Sequence, residues 1–517
     1  MRRYLSAGLL IISALLIVLL IHNSTDKYRS ANLLISEADF QSLIQNRKET
    51  NKKLLTKVTI NNFPLFYDEL KSRWFYSTPA DPNPSDFSIG YTGISDELKI
   101  ALIKSADSGT SETIIAYTGT EYRLYPLVFT TLPIIRIECE TANIWKTPLP
   151  IKFTLFDNRI GIRQPLIVSD GLIHSRGNTT NIFPKISYRL ILTAHTTGEE
   201  TKENQQSLLG LRNDGDWMLY PGYVDQEKVR NVFSSNLWFH SCAENNEFGL
   251  KNGNEYRYAE MFINDQYWGL YALGYPIDSK QMGIHADIKG NYNEFILKQR
   301  MWGPNYPDYP NLDQFLFPQF DISDAEWGTV SSIMESYFQY LESGAPDGLS
   351  HNDEGSTIDI WLYSKLIQHI DSVSDKLMLN NVIYTIKSSD YGRKIVYTPW
   401  DMDSTWGNNY DSPLSPENNS PEMTFSPVHM MLKRNDPEIR GKIKQRYQDL
   451  RAASWSNSTV DTMIDGLEQE IYDSGAYVRD MERWPEGSYQ DPELKLSLFR
   501  EYVHERFRSM DEYIANL

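Results

Sequence analysis

Tyr397-Thr-Pro-Trp-Asp-Met-Asp-Ser-Thr-Trp-Gly407 is the stretch on which the reading of this chain turns. A short strand over Lys394 to Tyr397 runs into two aspartates one residue apart. Side chains at that spacing lie on the same side of an extended segment, so Asp401 and Asp403 can reach one hard cation. Three readings compete: a magnesium or manganese site serving a nucleotide, a calcium loop, and a plain acidic turn whose carboxylates cap a helix. An EF-hand loop starting at Asp401 needs Gly at its sixth position and Glu at its twelfth. Trp406 and Ser412 stand there instead, which removes that version. The acidic turn stays open on spacing alone, since Asp is common in loops.

Working upstream, His369-Ile-Asp371-Ser-Val-Ser-Asp375 ends a helical pattern, and Asn380-Asn381 opens a strand-like run to Lys387. Phosphoryl transfer needs an Asp to orient or deprotonate the acceptor hydroxyl, an Asn carbonyl on a metal, and a second Asp on the metals that bridge the phosphates. Asp371, Asn380 or Asn381, and Asp401 supply that set in order. The competing reading is solvated caps and turns. Farther back, Ser175-Arg-Gly-Asn-Thr-Thr180 precedes Phe183-Pro-Lys185 and a strand. A tight turn with glycine, hydroxyls and nearby cations can present N–H groups to phosphate, or it can be an ordinary inter-strand loop. Lys298 ends the run Glu294-Phe-Ile-Leu-Lys298; such a lysine can pair with a phosphate or simply face solvent.

The whole chain has 517 residues, beyond the length at which one core stops growing, so more than one folded unit is expected. Hydrophobic residues make up 41% and charged residues 23%, which excludes a disordered or collagen-like chain. A net charge of −18 repels phosphate backbones and argues against nucleic-acid binding. A phosphorylated ligand would then need divalent cations as intermediaries. Arg2 and Arg3 precede an uncharged run from Tyr4 to Ile21. At about 1.5 Å per residue such a helix just spans a hydrocarbon core of about 30 Å. An uncleaved signal anchor is preferred to a cleaved signal peptide, with the main domain outside the membrane. Residues 1–30 therefore read as anchor and stalk, and 31–131 as a small α+β accessory unit with a helix around Ile35 to Asn46 and a proline-bearing loop from Tyr76 to Tyr91. The remainder, 132–517, has a sheet-rich half followed by a helix-rich half. Its clearest helical patterns are Glu227–Phe239, Asp324–Ser343, Thr357–Asp371 and Pro492–Leu517, and a hairpin is expected at Asn264-Asp265. Cys139 and Cys242 form either one bridge or two buried thiols.

Five segments taken in order resemble the spore-coat protein H (CotH) kinase family of atypical secreted or surface-associated protein kinases. They are Arg176-Gly-Asn-Thr-Thr with Lys185-Ile-Ser-Tyr-Arg; Leu208 to Leu219 leading into Val229-Arg-Asn-Val; the hairpin Tyr258 to Tyr271 followed by Pro276-Ile-Asp; Phe295-Ile-Leu-Lys298; and Pro399-Trp-Asp-Met-Asp-Ser-Thr-Trp-Gly. The resemblance implies a protein-kinase-like two-lobed α+β fold, ATP with Mg2+ or Mn2+, and phosphate transfer to a protein hydroxyl on a surface or coat protein. By the same resemblance Asp371 is the catalytic Asp, Asn381 and Asp401 are metal ligands with Asp403 beside them, and Arg176 with Lys185 or Lys298 contacts phosphates. Two departures stand out: Tyr275 occupies a position where the family has Glu, and Asp375 fits the general kinase spacing to Asn380 better than Asp371 does. A catalytically dead surface or coat scaffold is the second reading. A glycosyltransferase holding a sugar nucleotide through Asp401 and Asp403 is the third, and the absence of alternating β/α units before that motif weighs against it. The sequence does not specify an oligomeric state.

Overall fold

The structure, a computed structural model, describes residues 27–29, 32–79, 87–104, 112–177, 182–194, 202–284, 294–298, 315–317, 324–372, 379, 381–390, 392–409, 412–424 and 426–517. The expected span Tyr4–Ile21 lies outside these residues, as do Asp375, Asn380 and the 178–180 part of the proposed phosphate turn. Among the described residues no helix is long and apolar enough to cross a membrane.

The accessory unit is mostly β with one short helix, which falls within the expected Ile35 to Asn46 range. Helix α1 (Glu37–Ile44) starts at Ser36, whose side chain accepts from the Asp39 N–H while Asp39 returns the contact in a capping box. The rest forms a four-stranded and a six-stranded sheet. Strands Arg73–Ser77 and Ser88–Gly93 occupy both ends of the expected 76–91 loop, whose middle lies outside the described residues. The unit shares a core with the sheet-rich half of the chain: Phe75 stacks on Tyr267 at 5.1 Å and meets Phe262 edge-on at 5.2 Å.

The sheet-rich half closes into a seven-stranded barrel. Its strands are β1 (Ile134–Cys139), β2 (Leu149–Phe156), β3 (Leu166–Arg176), β4 (Ser187–Ala194), β5 (Asp216–Tyr220), β6 (Tyr256–Ile263) and β7 (Gln266–Gly274). Around the ring the order is β3-β2-β1-β6-β7-β5-β4, and β4 pairs back onto β3. An odd ring cannot alternate direction throughout, so one neighbouring pair must run parallel. That pair is β1 with β6, in register from Ile134↔Glu260 to Ile137↔Ile263. The β6–β7 hairpin turns where expected. Asn264 takes φ 55°, a left-handed conformation that asparagine tolerates, which explains how the turn forms without glycine. Helix α2 (Arg230–Ser241) follows β5, close to the expected range.

The helix-rich half carries a second sheet that sequence periodicity outlined only in part. Strands β8 (Phe295–Lys298), β9 (Phe315–Phe317), β10 (Val382–Ser389) and β11 (Gly392–Pro399) are ordered β9-β8-β10-β11. Around it lie α3 (Asp324–Glu342), α4 (Glu354–Ile367), α5 (Pro427–Lys433), α6 (Pro437–Ala452), α7 (Asn457–Glu468), α8 (Ala476–Arg483) and α9 (Ser497–Ala515). The expected Thr357–Asp371 helix stops early: Gln368 turns left-handed at φ 53° and a separate 3-10 turn, Ile370–Ser372, carries Asp371. From α9 the buried Arg506 donates to the carbonyls of Leu366 and Lys365 at 2.9 and 2.7 Å, satisfying acceptors that the end of α4 would otherwise orphan. Cys139 and Cys242 are both free thiols, the second buried.

Candidate functional site

The β10–β11 hairpin places the two halves of the site side by side. Val382 pairs with Pro399, and just beyond them the Trp400 N–H donates to the Asn381 carbonyl at 2.9 Å. Asn381 and Asp401 therefore flank the open end of the hairpin, with φ of 51° and 54°. Asparagine and aspartate both tolerate this left-handed backbone, which turns the chain sharply at each end of the hairpin. The Asn381 amide N–H2 faces the Asp371 carboxylate at 3.3 Å and the Asp401 carbonyl at 3.4 Å. Among the described residues no hydrogen bond uses its Oδ1, which leaves that oxygen as a ligand.

The loop after Asp401 is anchored on α2 and α4. Asn231 on α2 accepts from the Met402 N–H at 2.9 Å, Trp406 Nε1 donates to Ser234 Oγ at 2.9 Å, and the Trp406 N–H donates to the Ile367 carbonyl at 2.7 Å. Asp401 is exposed, Asp371 half-buried and Asp403 buried. Burial, reinforced by the negative charge of Asp401, raises the Asp371 pKa against a hydrogen bond from Ser404. Asp403 is pushed well up by burial and then by Asp401, Asp371 and Asp225. Asp225 itself is neutralised by Arg230, whose backbone N–H also donates to it at 2.7 Å.

One buried polar atom beside these carboxylates, Tyr220 Oη, lacks a partner among the described residues. Burial and the charges of Asp403, Asp225 and Asp401 raise the Tyr220 pKa far above its ordinary value. His369 is driven down to about 4, chiefly by burial, so it is neutral at pH 7; its Nδ1 meets Ser372 Oγ at 2.6 Å and braces the turn that carries Asp371. Among the described residues no three His, Cys, Asp or Glu side chains are grouped to hold a metal by themselves. A magnesium-type site does not require that, because such ions keep waters and substrate phosphates and use one or two carboxylates. Concentrated carboxylate charge, an unused amide oxygen and the orphaned Tyr220 hydroxyl fit a cation with a polar ligand.

Two of the three expected phosphate-contacting cations are drawn to the same place. Arg176, at the end of β3, lies 5.5 Å from the Trp400 ring, and Lys298, at the end of β8, lies 4.9 Å from it. Lys185 is elsewhere. It is buried, and its ammonium contacts the Pro221 carbonyl at 2.6 Å, the Leu270 carbonyl at 2.7 Å and Asp480 at 2.8 Å. Three acceptors occupy its three donors, so none is left for a phosphate in this arrangement. Asp225, Tyr220, Asn231 and Trp400 were missed as site residues by the sequence. Only Trp400, next to Asp401, carried a local signal.

A family model described as CotH kinase protein matches residues 173–299 and 353–510, more than half of the chain. The chain belongs to the CotH family. The first matched segment contains Arg176, Lys185 and Lys298, and the second contains Asp371, Asn381, Asp401 and Asp403, so both halves of the site lie within the CotH match. The accessory unit and strands β1 and β2 lie outside it. No curated protein matches the chain.

Proposed function

We propose that this CotH-family protein is a metal-dependent phosphotransferase with a kinase-like pair of lobes, moving the terminal phosphate of ATP to a hydroxyl of a surface or coat protein. The observation that carries the reading is the Asn381 side chain, which links Asp371 to Asp401 across thirty positions of sequence at the mouth of one hairpin. Asp401, Asp403 and Asn381 Oδ1 would hold Mg2+ or Mn2+, while Arg176 and Lys298 would face the phosphates from Trp400. Bound there, the nucleotide supplies the phosphoryl group and the cation screens its charge. Asp371 accepts the proton of the acceptor hydroxyl at a carboxylate oxygen, and its raised pKa makes it the stronger base. His369 keeps the turn in place, and Asn381 orients the Asp371 carboxylate. The same reading tethers the domain outside the cell membrane through Tyr4–Ile21.

A second reading, a scaffold that has lost catalysis, is favoured by Tyr275. It is fully buried with Arg212 4.3 Å from its ring, a packing role that carries no carboxylate charge. The mostly antiparallel barrel ahead of Asp401 leaves the glycosyltransferase reading without its alternating β/α sheet. Calorimetric titration with ATP separates the first two. Binding that requires Mg2+ or Mn2+ and disappears in Asp401→Ala supports the phosphotransferase; absence of binding under either metal supports the scaffold.

A further inference from the structure

Outside this site, a cavity of about 440 Å3 opens at one end of the barrel, between β7, the turn after β1 and the end of α8. That volume suits a small ligand. Trp145, Phe183, Trp268 and Trp484 form its walls, and Trp145 is 52% exposed. Trp268 and Trp484 meet edge-to-face at 5.3 Å. Their indole N–H groups are already used: Trp268 donates to Tyr188 Oη at 3.2 Å, and Trp484 donates to the Trp268 carbonyl at 2.7 Å. Those two walls thus offer apolar faces rather than donors.

One cation interrupts them. The Arg483 guanidinium carbon lies 3.9 Å from the Trp484 ring centre and 4.7 Å from that of Trp268, and Nε donates to the Tyr267 carbonyl at 2.9 Å. Among the described residues no hydrogen bond or ion pair uses its Nη1 or Nη2. A guanidinium set against two indole rings, with Nη1 and Nη2 unused among the described residues, can grip a planar anion at two points. Burial lowers its pKa, which an incoming anion would reverse.

We infer that this cavity binds a monocarboxylate with an aromatic or aliphatic body, gripped by Arg483 and covered by Trp145. One guanidinium balances one negative charge, so a phosphate dianion would be left half-compensated in a protein of net charge −18. Apart from Arg483, the polar groups lining the cavity are Asn143, Tyr188 and the Trp145 indole N–H, too few to satisfy the hydroxyls of a sugar. The carboxylate can belong to a free small acid or to the C-terminus of a peptide ending in an apolar residue.

Titration calorimetry on the full chain tests this with phenylacetate, its uncharged analogue 2-phenylacetamide, and N-acetyl-Leu-Phe as the free acid and as the C-terminal amide. At least one acid is expected to bind about tenfold more tightly than its amide. Trp145→Ala, half-exposed and safe for folding, should weaken that binding several-fold, and Arg483→Gln should erase the preference for acid over amide. Asp401→Ala should leave this binding intact, which keeps the test separate from the phosphotransferase reading. Binding of phenylacetate alone identifies a small acid as the source, and binding of the peptide acid identifies a chain terminus. Failure of every probe to bind, equal binding of acid and amide, or an unaffected Trp145→Ala variant overturns the proposal.

Discussion

Replacing Lys185 with Met separates a structural lysine from a phosphate-binding one. Lys185 and Asp480 are 1% and 0% exposed and 2.8 Å apart. Without the ammonium, Asp480 keeps the Leu270 N–H and the Tyr489 hydroxyl, each at 2.9 Å, but its charge stays buried and uncompensated. Breaking such a pair costs about 3–5 kcal/mol, a large share of a typical folding stability. Lys228 tempers the loss. Its pKa is held down to about 7, mainly by burial, with the charge of Lys185 pushing the same way and Asp480 opposing. With Lys185 gone, Lys228 ionises more readily and partly screens Asp480, so the deficit should be smaller at pH 6 than at pH 8. Urea denaturation at both pH values measures it. The double variant Lys185→Met/Asp480→Asn should recover much of the stability, because no orphan charge remains. Lys298→Met should instead weaken ATP binding. The reasoning is refuted if Lys185→Met stays within about 1 kcal/mol of the parent in urea while ATP binding is lost.

The His369 pKa of about 4 in the fold, against 6.5 unfolded, means that the unfolded chain binds a proton first as pH falls. Stability should therefore drop between about pH 6.5 and 4, by up to about 3 kcal/mol from this residue, and the drop should be smaller in His369→Gln when denaturation is followed across that range. Asp371 and Asp403 act in the opposite sense. Their raised pKa values make the metal-free fold hold protons that the unfolded chain releases, so their contribution weakens as pH climbs above the ordinary carboxylate value of 3.8. Added Mg2+ should accordingly raise the melting temperature more at pH 8 than at pH 5; an equal shift, or the same shift in Asp401→Ala, would contradict the site. Gly269 has φ 109°, and an added Cβ would stand 2.3 Å from Asp480 Oδ1. Gly269→Ala should lose about 1–3 kcal/mol in urea, whereas a silent substitution would mean that α8 is not seated on β7 as described.

What the sequence disclosed was local. The Asn264-Asp265 pair marked a hairpin, and the run into Asp401 marked the site, because period and turn chemistry are properties of neighbouring residues. Closure of the barrel was not legible. The pairing of β3 with β4 and the parallel β1–β6 seam depend on contacts whose partners no short window contains. Lys185 shows the same limit: a lysine just before a strand gives no sign that Asp480, nearly three hundred positions later, will bury it. Tyr220, Asp225 and Asn231 likewise reach the carboxylates only after the barrel closes and α2 docks. The accessory unit reads as a unit of its own from its sequence patterns, yet Phe75 finds its partners at Phe262 and Tyr267 in the barrel.

The most direct test is transfer of label from γ-labelled ATP to protein, with Mg2+ or Mn2+ supplied and then chelated, in the parent chain and in Asp401→Ala of unchanged melting temperature. The account predicts labelled protein that vanishes on chelation and in the variant. Label that is absent under both metals, or that persists in Asp401→Ala, would contradict it.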